Sequence, residues 1–261
     1  MNKNIIFFDI DGTILSHRDF HISDSTKAAI RQARANGHLV FINTGRTRAE
    51  IEAEITEVGF DGFVCGCGTY ISYQGDTLLH RTIPTEKARK LIKDLRENQI
   101  DAVLEGSEAI YYDNQTTHST LNSIRNVQIY DHHFNVLTWE ENNIVVDKFC
   151  LFPSFQEGFE RFYQSYQSDY DFIHRHKMYE VIPKNYSKAS GIAFLINYLN
   201  IPHENTYAFG DGPNDHSMLS YVKHSIGMGN CSDDIRDIVS FVTKDVDDRG
   251  IAYALQHFSI I

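Results

Sequence analysis

The 261-residue sequence predicts an α/β protein in which a Rossmann-like, doubly wound parallel sheet is interrupted by an inserted α+β domain. Strand and helix patterns alternate in residues 1–82, and the same alternation returns from residue 187 onwards. Between them, over residues 83–186, short strand patterns are interleaved with helices and polar turns. We therefore expect one core formed by residues 1–82 and 187–261, and a separate domain formed by residues 83–186.

The first segment begins with a run of apolar residues and continues with a regular alternation. Ile5–Phe8 contains no polar residue, as is typical of a parallel strand covered on both faces. The elements predicted after it are a helix capped by Ser23 or Asp24 and ended by Asn36-Gly37, a strand over Leu39–Ile42, and a helix over Thr47–Val58 ended by Gly59. A sheet of this kind binds its ligands at the carboxyl ends of its strands.

The middle and last segments differ in pattern. In the middle segment we expect helices over 84–98 and Phe155–Tyr166, a polar helix, strands over Ala102–Leu104, Ile110–Tyr112 and Val145–Phe152, and β structure around Phe172 and over Tyr179–Ile182. In the last segment we expect helices over Ala189–Leu199 and Asp215–Tyr221, strands over Thr206–Phe209 and Ser225–Met228, and a final helix ending near His257. The return of the first pattern indicates that both ends of the chain belong to one core.

The charge and composition exclude several classes of protein. The chain carries 24 Lys and Arg against 35 Asp and Glu, a net charge of −11, so duplex nucleic acid and anionic membranes would be repelled. No apolar run approaches the roughly 18 residues of a membrane span, and the apolar run after Asn4 is too short for a signal peptide. We therefore expect a globular cytoplasmic protein that binds neither nucleic acid nor membranes. A separate expectation is that the protein is a monomer or weak homo-oligomer.

The cysteines are too scattered for a disulfide framework; they are Cys65, Cys67, Cys150 and Cys231. One residue separates Cys65 from Cys67, instead of the two of a usual zinc knuckle, and no cluster of Cys or His follows them. We expect buried or half-buried free thiols.

Two carboxylates follow the first predicted strand. Asp9 and Asp11 come directly after it, and at this spacing both acids lie near the edge of the sheet, where a divalent cation can neutralise them. Gly12 lets the backbone turn sharply away. The alternative is a plain polar turn after a strand. A calcium loop of the EF-hand type is excluded, because Thr13 and Phe20 stand where an oxygen ligand and a glutamate are needed.

Three more groups of polar residues stand at strand or helix ends. Thr44-Gly45-Arg46 follows the second strand and offers an anion a hydroxyl, backbone N–H groups and a guanidinium. Lys188 begins the helix after the middle segment, and the acid-rich Gly210–Asp215 follows a later strand. Each group alone is weak, and the last lacks the third glycine of a dinucleotide fingerprint. A parallel sheet brings all these groups to one edge, which favours a shared site.

In the order and spacing of these groups, the chain resembles haloacid-dehalogenase-type phosphatases of the Cof-like group, subfamily IIB, which carry a C2-type α+β cap. The matching motifs are Asp9–Thr13, Asn43–Arg46, Lys188 and Gly210–Asp215, and Asp248–Ala252 resembles the group's ending. The resemblance spans nearly the whole chain. Two departures stand out: Cys67-Gly68-Thr69 replaces a frequent Asn-Gly-Ala, which bears on substrate fit, and Ala189-Ser190-Gly191 follows the lysine where relatives often have Lys-Gly.

The resemblance implies hydrolysis of a phosphate monoester, a sugar phosphate, through a phospho-aspartate. Asp9 would be the nucleophile, and Asp11 would act as acid and then as base. The implied cofactor is Mg²⁺, with Asp9, Asp11 through its backbone carbonyl, and Asp211 as ligands, supported by Asn214 or Asp215. The residues implied to be catalytic are Asp9, Asp11, Thr44 and Lys188, and those implied to bind phosphate are Thr44, Gly45, Arg46, Lys188 and Asn214.

The inserted domain, as a cap, would exclude water and select the small phosphorylated metabolite. Its candidates for facing the substrate are Tyr111-Tyr112, His132-His133, His174-Arg175-His176 and Met178-Tyr179, each of which is more simply explained as a structural residue.

Three alternatives to a phosphatase differ in what they require of the sequence. A phosphomutase or phosphotransferase of the same fold would keep all four motifs. A signalling receiver domain also combines an acidic pair with Thr and Lys, but it is about half as long and has no inserted domain. A catalytically silent binding protein would have lost one of the motif residues, and none is lost here.

Overall fold

The computed structural model of the chain describes residues 3–116, 118–175 and 178–261. The chain forms two compact units. Met1–Gly45, Glu52–Leu78 and Ser187–Ile261 make up the first, and Arg46–Ile51 and Leu79–Tyr186 make up the second. In the part of the chain that the structure describes, no helix is both long enough and apolar enough to cross a membrane.

The order of helices and strands confirms the α/β fold predicted from the sequence. Up to residue 80 the elements are β1 (Ile5–Phe8), α1 (Asp24–Ala35), β2 (Leu39–Asn43), α2 (Ala53–Glu57), β3 (Gly62–Cys65), β4 (Tyr70–Tyr73) and β5 (Asp76–His80). The next segment holds α3 (Thr85–Glu97), β6 (Ile100–Glu105), β7 (Ile110–Tyr112), α4 (Ser119–Tyr130), β8 (Val136–Thr138), β9 (Lys148–Pro153), α5 (Gln156–Tyr166), β10 (Tyr170–Arg175) and β11 (Met178–Pro183). The last segment holds α6 (Lys188–Tyr198), β12 (Thr206–Gly210), α7 (His216–Tyr221), β13 (His224–Gly227), α8 (Asp233–Arg236), β14 (Phe241–Val242) and α9 (Gly250–His257).

Strand β1 lies inside the sheet of the first unit. The strand order is β14-β13-β12-β1-β2-β3-β4-β5, and the strands from β14 to β3 are parallel. β1 and β2 are buried along their whole length, which explains why neither alternates polar with apolar residues. Phe8 pairs with Ile42 on one side and with Phe209 on the other. The carboxyl ends of β1, β2 and β12 therefore lie side by side.

Only the second half of the predicted helix over Thr47–Val58 forms as an α-helix, because the chain breaks the helix in the middle. A 3₁₀ turn over Arg48–Glu50 is followed by two extended residues, Ile51 and Glu52, before α2 begins. The backbone N–H and the hydroxyl of Thr47 both donate to Glu50 Oε2, each at 2.9 Å. These local bonds stabilise the 3₁₀ turn instead of a continuing α-helix. The backbone after the turn is extended, and Ile51 is buried there.

The second unit is built on a mixed sheet with the strand order β10-β11-β9-β6-β7-β8. Its described pairs are antiparallel except for β7 with β8. Leu104 and Phe149 join an apolar cluster with α3 and α5, whereas their neighbours Val103 and Cys150 join a second cluster with α4. Adjacent residues thus face opposite sides of the sheet, as the pleat of a strand requires.

The cysteines are buried free thiols, as predicted; they are Cys65, Cys67, Cys150 and Cys231.

Helix α6 begins at Lys188 because Ser187 caps it. Ser187 Oγ accepts the N–H of Ser190 at 3.1 Å, and Ser190 Oγ accepts the N–H of Ser187 at 2.9 Å. Such reciprocal bonds satisfy N–H groups that the first turn of a helix leaves open. Gly191 brings the same turn against β3, since a Cβ there would lie 2.4 Å from Val64 Cγ1. Local hydrogen bonds and close packing thus define where Lys188 stands.

We expect Ser187→Ala to lower the free energy of unfolding by about 1 kcal/mol, because the substitution removes the side-chain cap of α6. Ser187→Thr keeps a hydroxyl at that position and should stay close to the parent protein. Urea unfolding followed by circular dichroism measures both variants. An alanine variant as stable as the parent would show that another feature starts the helix.

Candidate active site

Asp9 follows β1 and is buried, with 2% of its side chain exposed. Its backbone N–H donates to Phe209 O at 3.1 Å, so the ladder between β1 and β12 continues to this residue. Its carboxylate oxygen Oδ1 lies 2.5 Å from Lys188 Nζ. A carboxylate removed from water stays ionised only beside a compensating charge. The ammonium of Lys188 therefore favours the ionised form of Asp9, against the effect of burial.

Lys188 joins two buried carboxylates. Its Nζ donates to Asp9 Oδ1 at 2.5 Å and to Asp215 Oδ1 at 2.6 Å. Burial alone would lower the pKa of Lys188, but the negative charges of Asp215 and Asp9 outweigh burial and hold that pKa above its usual range. Lys188 is therefore an ammonium ion.

Asp215 organises the loop after β12. Its second oxygen, Oδ2, accepts the backbone N–H of Asp211 at 2.9 Å and that of Gly212 at 3.1 Å. The residue ends a 3₁₀ turn over Pro213–Asp215 and is fully buried. One carboxylate thus holds both the ammonium of Lys188 and the backbone that carries Asp211.

Three carboxylates meet at this edge of the sheet. Oxygens of Asp9, Asp211 and Asp215 all lie within 4.8 Å of one another. Burial, followed by the negative charge of Asp215, raises the pKa of Asp9 to about 8 and that of Asp211 to about 6. Three carboxylates and one ammonium leave an excess of negative charge, and carboxylate oxygens are the preferred ligands of hard divalent cations. The donor set therefore fits a divalent cation.

The loop after β1 is tied down by Asn230, a residue that no motif of the sequence singled out. Asn230 Nδ2 donates to Gly12 O at 2.8 Å, and its Oδ1 accepts the N–H of Val246 at 3.0 Å. Gly12 has a φ of +72°, and a Cβ there would lie 2.2 Å from Asp211 Oδ2, so the position requires glycine. The position of Asn230 shortly after a strand end, like that of Asp9 and Thr44, is a signal that could have identified it.

Asn43 and Thr44 occupy the end of β2. The backbone N–H of Thr44 donates to Val64 O at 2.9 Å, and its carbonyl accepts the N–H of Cys67 at 3.1 Å. Asn43 is buried, and its Nδ2 donates to Lys188 O at 3.0 Å. Asn43 belongs to a motif of the sequence, but the sequence assigns it no role. The structure links it directly to the lysine.

Four further residues are predicted from the motifs to bind metal or phosphate. The side chain of Asp11 is not among the three clustered carboxylates, and its negative charge contributes to the raised pKa of Asp9. Arg46 belongs to the second unit, where its Nη1 donates to Glu50 O at 3.3 Å. Gly45 and Asn214 are half-buried. The roles of these four residues stay predictions.

The predicted substrate-facing residues of the second unit include several that pack inside it. Tyr111 and Tyr112 belong to the two apolar clusters. The ring of Tyr179 stacks on that of Phe159 at 4.4 Å and lies 4.9 Å from the ring of His174. His176 lies outside the described residues. Contact of these residues with a substrate stays a prediction.

Comparisons with known proteins find similar sequences and structures along nearly the whole chain. A sequence model described as haloacid dehalogenase-like hydrolase matches residues 6–255. YkrA of Bacillus subtilis (strain 168) is 30% identical over 262 aligned positions, which cover 100% of both chains. Phosphatase YwpJ of the same organism is 27% identical and covers 97% of this chain and 99% of its own. The solved structure of sugar phosphatase BT4131, of HAD subclass IIB, has a TM-score of 0.82 and 27% identity, and it covers 99% of this chain and 100% of its own.

The similarity includes the core sheet and the inserted segment, since the match to the family runs from Ile6 to Leu255. It contains the strand ends and the helix start that bring Asp9, Lys188 and Asp211 together. The chain therefore belongs to the haloacid dehalogenase-like hydrolase family, in its Cof-like group, and is a phosphatase.

Proposed function

We propose that this phosphatase hydrolyses a sugar phosphate, with Mg²⁺ as its cofactor and Asp9 as the group that accepts the phosphoryl. The observation that carries the proposal is the buried contact of 2.5 Å between Asp9 Oδ1 and Lys188 Nζ. A nucleophilic carboxylate must be ionised, and the ammonium favours that form. Burial and the charge of Asp215 still raise the pKa of Asp9 to about 8, so a bound cation would have to favour the ionised form further. An ammonium has three N–H donors, and among the described residues two of those of Lys188 bind carboxylates. The third would bind an oxygen of the substrate.

In the first step, a carboxylate oxygen of Asp9 attacks phosphorus, and the bond between phosphorus and the ester oxygen breaks. Asp11 donates a proton to the leaving alcohol. In the second step, Asp11 takes a proton from a water molecule that attacks the phospho-aspartate. Inorganic phosphate leaves, and Asp9 is regenerated. Each residue ends the cycle in the protonation state in which it began.

Thr44 and Lys188 would bind the oxygens of the phosphoryl group that do not react. An ammonium held by buried contacts, beside a hydroxyl on a residue whose backbone is hydrogen-bonded to Val64 and Cys67, would stabilise the charge of the transition state with little reorganisation. The predicted roles of Gly45, Arg46 and Asn214 in binding phosphate belong to the same proposal.

Asp9, Asp211 and the backbone carbonyl of Asp11 would hold the Mg²⁺ ion, which would neutralise the repulsion between phosphate and the attacking carboxylate. Asp215 would support the ion indirectly, by fixing the backbone that carries Asp211. Its Oδ2 accepts the N–H groups of Asp211 and Gly212.

The similarity to BT4131, named as a sugar phosphatase, supports the substrate class. The segment 83–186 would act as the cap that selects among phosphate esters. A cytoplasmic location is part of the proposal, since the net charge of −11 and a small phosphorylated substrate are both compatible with it.

We expect Asp9→Asn to lower turnover by about 1000-fold or more, because an amide is not a nucleophile and offers Lys188 no negative charge. Asparagine has the shape of aspartate, so the circular dichroism spectrum should not change. The measurement is phosphate release from a panel of sugar phosphates, nucleotides and phosphorylated cofactors, with and without Mg²⁺. Normal release by the folded variant would contradict the role of Asp9.

Asp61→Asn is the matched control for that experiment. Asp61 is also buried and bonded, since it accepts Arg34 Nε at 2.8 Å and the N–H of Val40 at 2.9 Å. It stands before β3, away from the carboxyl ends of the strands. We expect this variant to lose stability and to keep its turnover, which separates loss of a buried charge from loss of the nucleophile.

We also expect Mg²⁺ to bind more tightly as the pH rises from 6 to 8. Protons compete with the ion for Asp9 and Asp211, whose pKa values are raised to about 8 and about 6. In the metal-free protein these ionisations oppose folding, because both pKa values exceed their unfolded values, and a bound cation removes that penalty. At a fixed Mg²⁺ concentration, Tm should therefore increase more at pH 8 than at pH 6. An equal or smaller increase at pH 8 would exclude these carboxylates as the ligands.

A further inference from the structure

Asn43 makes a contact that links the two parts of the candidate site. It is the last residue of β2, directly before Thr44, and it is fully buried. Its Nδ2 donates to the main-chain carbonyl of Lys188 at 3.0 Å, across 145 positions of sequence. Because Lys188 is the first residue of α6, this bond joins the end of a strand to the start of a helix.

The bond acts on a helix start that is already held from other sides. Ser187 caps the first turn, and Gly191 packs that turn against Val64. These contacts locate the helix along its axis and against β3. The bond from Asn43 adds a constraint towards β2, the strand that ends beside Asp9 and leads into Thr44. This bond therefore restrains the position of the Lys188 backbone, from which the side chain extends towards Asp9.

The carbonyl oxygen of the Asn43 side chain, Oδ1, does not add to the stability of the fold. This oxygen is buried and has no hydrogen-bond partner among the described residues. A buried polar atom without a partner opposes folding. An apolar side chain of the same size would avoid that cost, so the contribution of Asn43 is better sought in the position of Lys188 than in stability.

We propose that Asn43 is a positioning residue for Lys188, an inference that rests on the proposed function. Its amide N–H holds the first residue of α6 at the end of β2. In this way it sets the distance from the ammonium to the Asp9 carboxylate and to the phosphoryl group bound beside Thr44.

The test is Asn43→Leu, which replaces the amide with an apolar group of similar size. Lys188 O is not left without a partner, since a carbonyl in the first turn of a helix also accepts the N–H four residues later. We expect Tm to stay the same or rise. We expect kcat to fall roughly 10- to 100-fold, and the Kd for inorganic phosphate with Mg²⁺ to rise about tenfold. Thermal unfolding, steady-state kinetics and calorimetric titration with phosphate give the three values.

Asn36→Leu is a control for the loss of an amide-to-carbonyl bond at an exposed position away from the site. Asn36 Nδ2 also donates to a main-chain carbonyl, Ile260 O, at 2.7 Å, but it follows α1 on the approach to β2 and not at the carboxyl ends of the strands. The control should lose stability and keep both kcat and phosphate affinity. If Asn43→Leu instead lowers Tm and keeps kcat, Asn43 is a structural residue and the inference is wrong.

Lys188→Met separates failure of this inference from failure of the proposed function. If Lys188→Met binds phosphate as tightly as the parent protein, the role of Lys188 is wrong and both proposals fall. If Lys188→Met loses phosphate affinity while Asn43→Leu keeps both affinity and kcat, only the inference about Asn43 falls. Loss of affinity in both variants, with Tm kept in Asn43→Leu, supports both.

Discussion

The site depends on one ammonium held between two buried carboxylates. Lys188 Nζ lies 2.5 Å from Asp9 Oδ1 and 2.6 Å from Asp215 Oδ1. Removing one charge of such a group leaves its partners buried and unpaired, at a cost of roughly 3–5 kcal/mol. Asp211 adds a third carboxylate to the cluster, and the raised pKa values of Asp9 and Asp211 reflect burial first and the excess of negative charge second. The same imbalance that opposes folding without a metal would favour the binding of a cation.

The parallel sheet brings these charges together, and side-chain amides fix the loops around them. β1, β2 and β12 end side by side, so residues far apart in sequence meet at one edge. Asn43 then joins the end of β2 to the start of α6, and Asn230 joins the loop after β1 to the N–H of Val246. Strand direction alone places residues only to within a few ångströms. We infer that these amides supply the finer placement that phosphoryl transfer needs.

The sequence predicts the parts of the site that follow from strand direction and charge. Asp9 and Asp211 follow buried strands, and Lys188 begins a helix, so their convergence could be expected. The hydrogen bonds made by Asn43 and Asn230 could not be predicted from the sequence. Each joins a side chain to a backbone group more than 100 positions away. The break at Ile51 was missed for a related reason, since the bonds from Thr47 to Glu50 compete locally with a helical pattern.

The phospho-aspartate is the central claim, and acid quenching during turnover tests it most directly. The enzyme is mixed with Mg²⁺ and a sugar phosphate labelled in its phosphoryl group, stopped within milliseconds, and digested for mass spectrometry. We expect a transient phosphoryl adduct on the peptide that contains Asp9, sensitive to hydroxylamine as an acyl phosphate should be, and absent from Asp9→Asn. Turnover without any adduct, or with the adduct on another residue, would contradict the account.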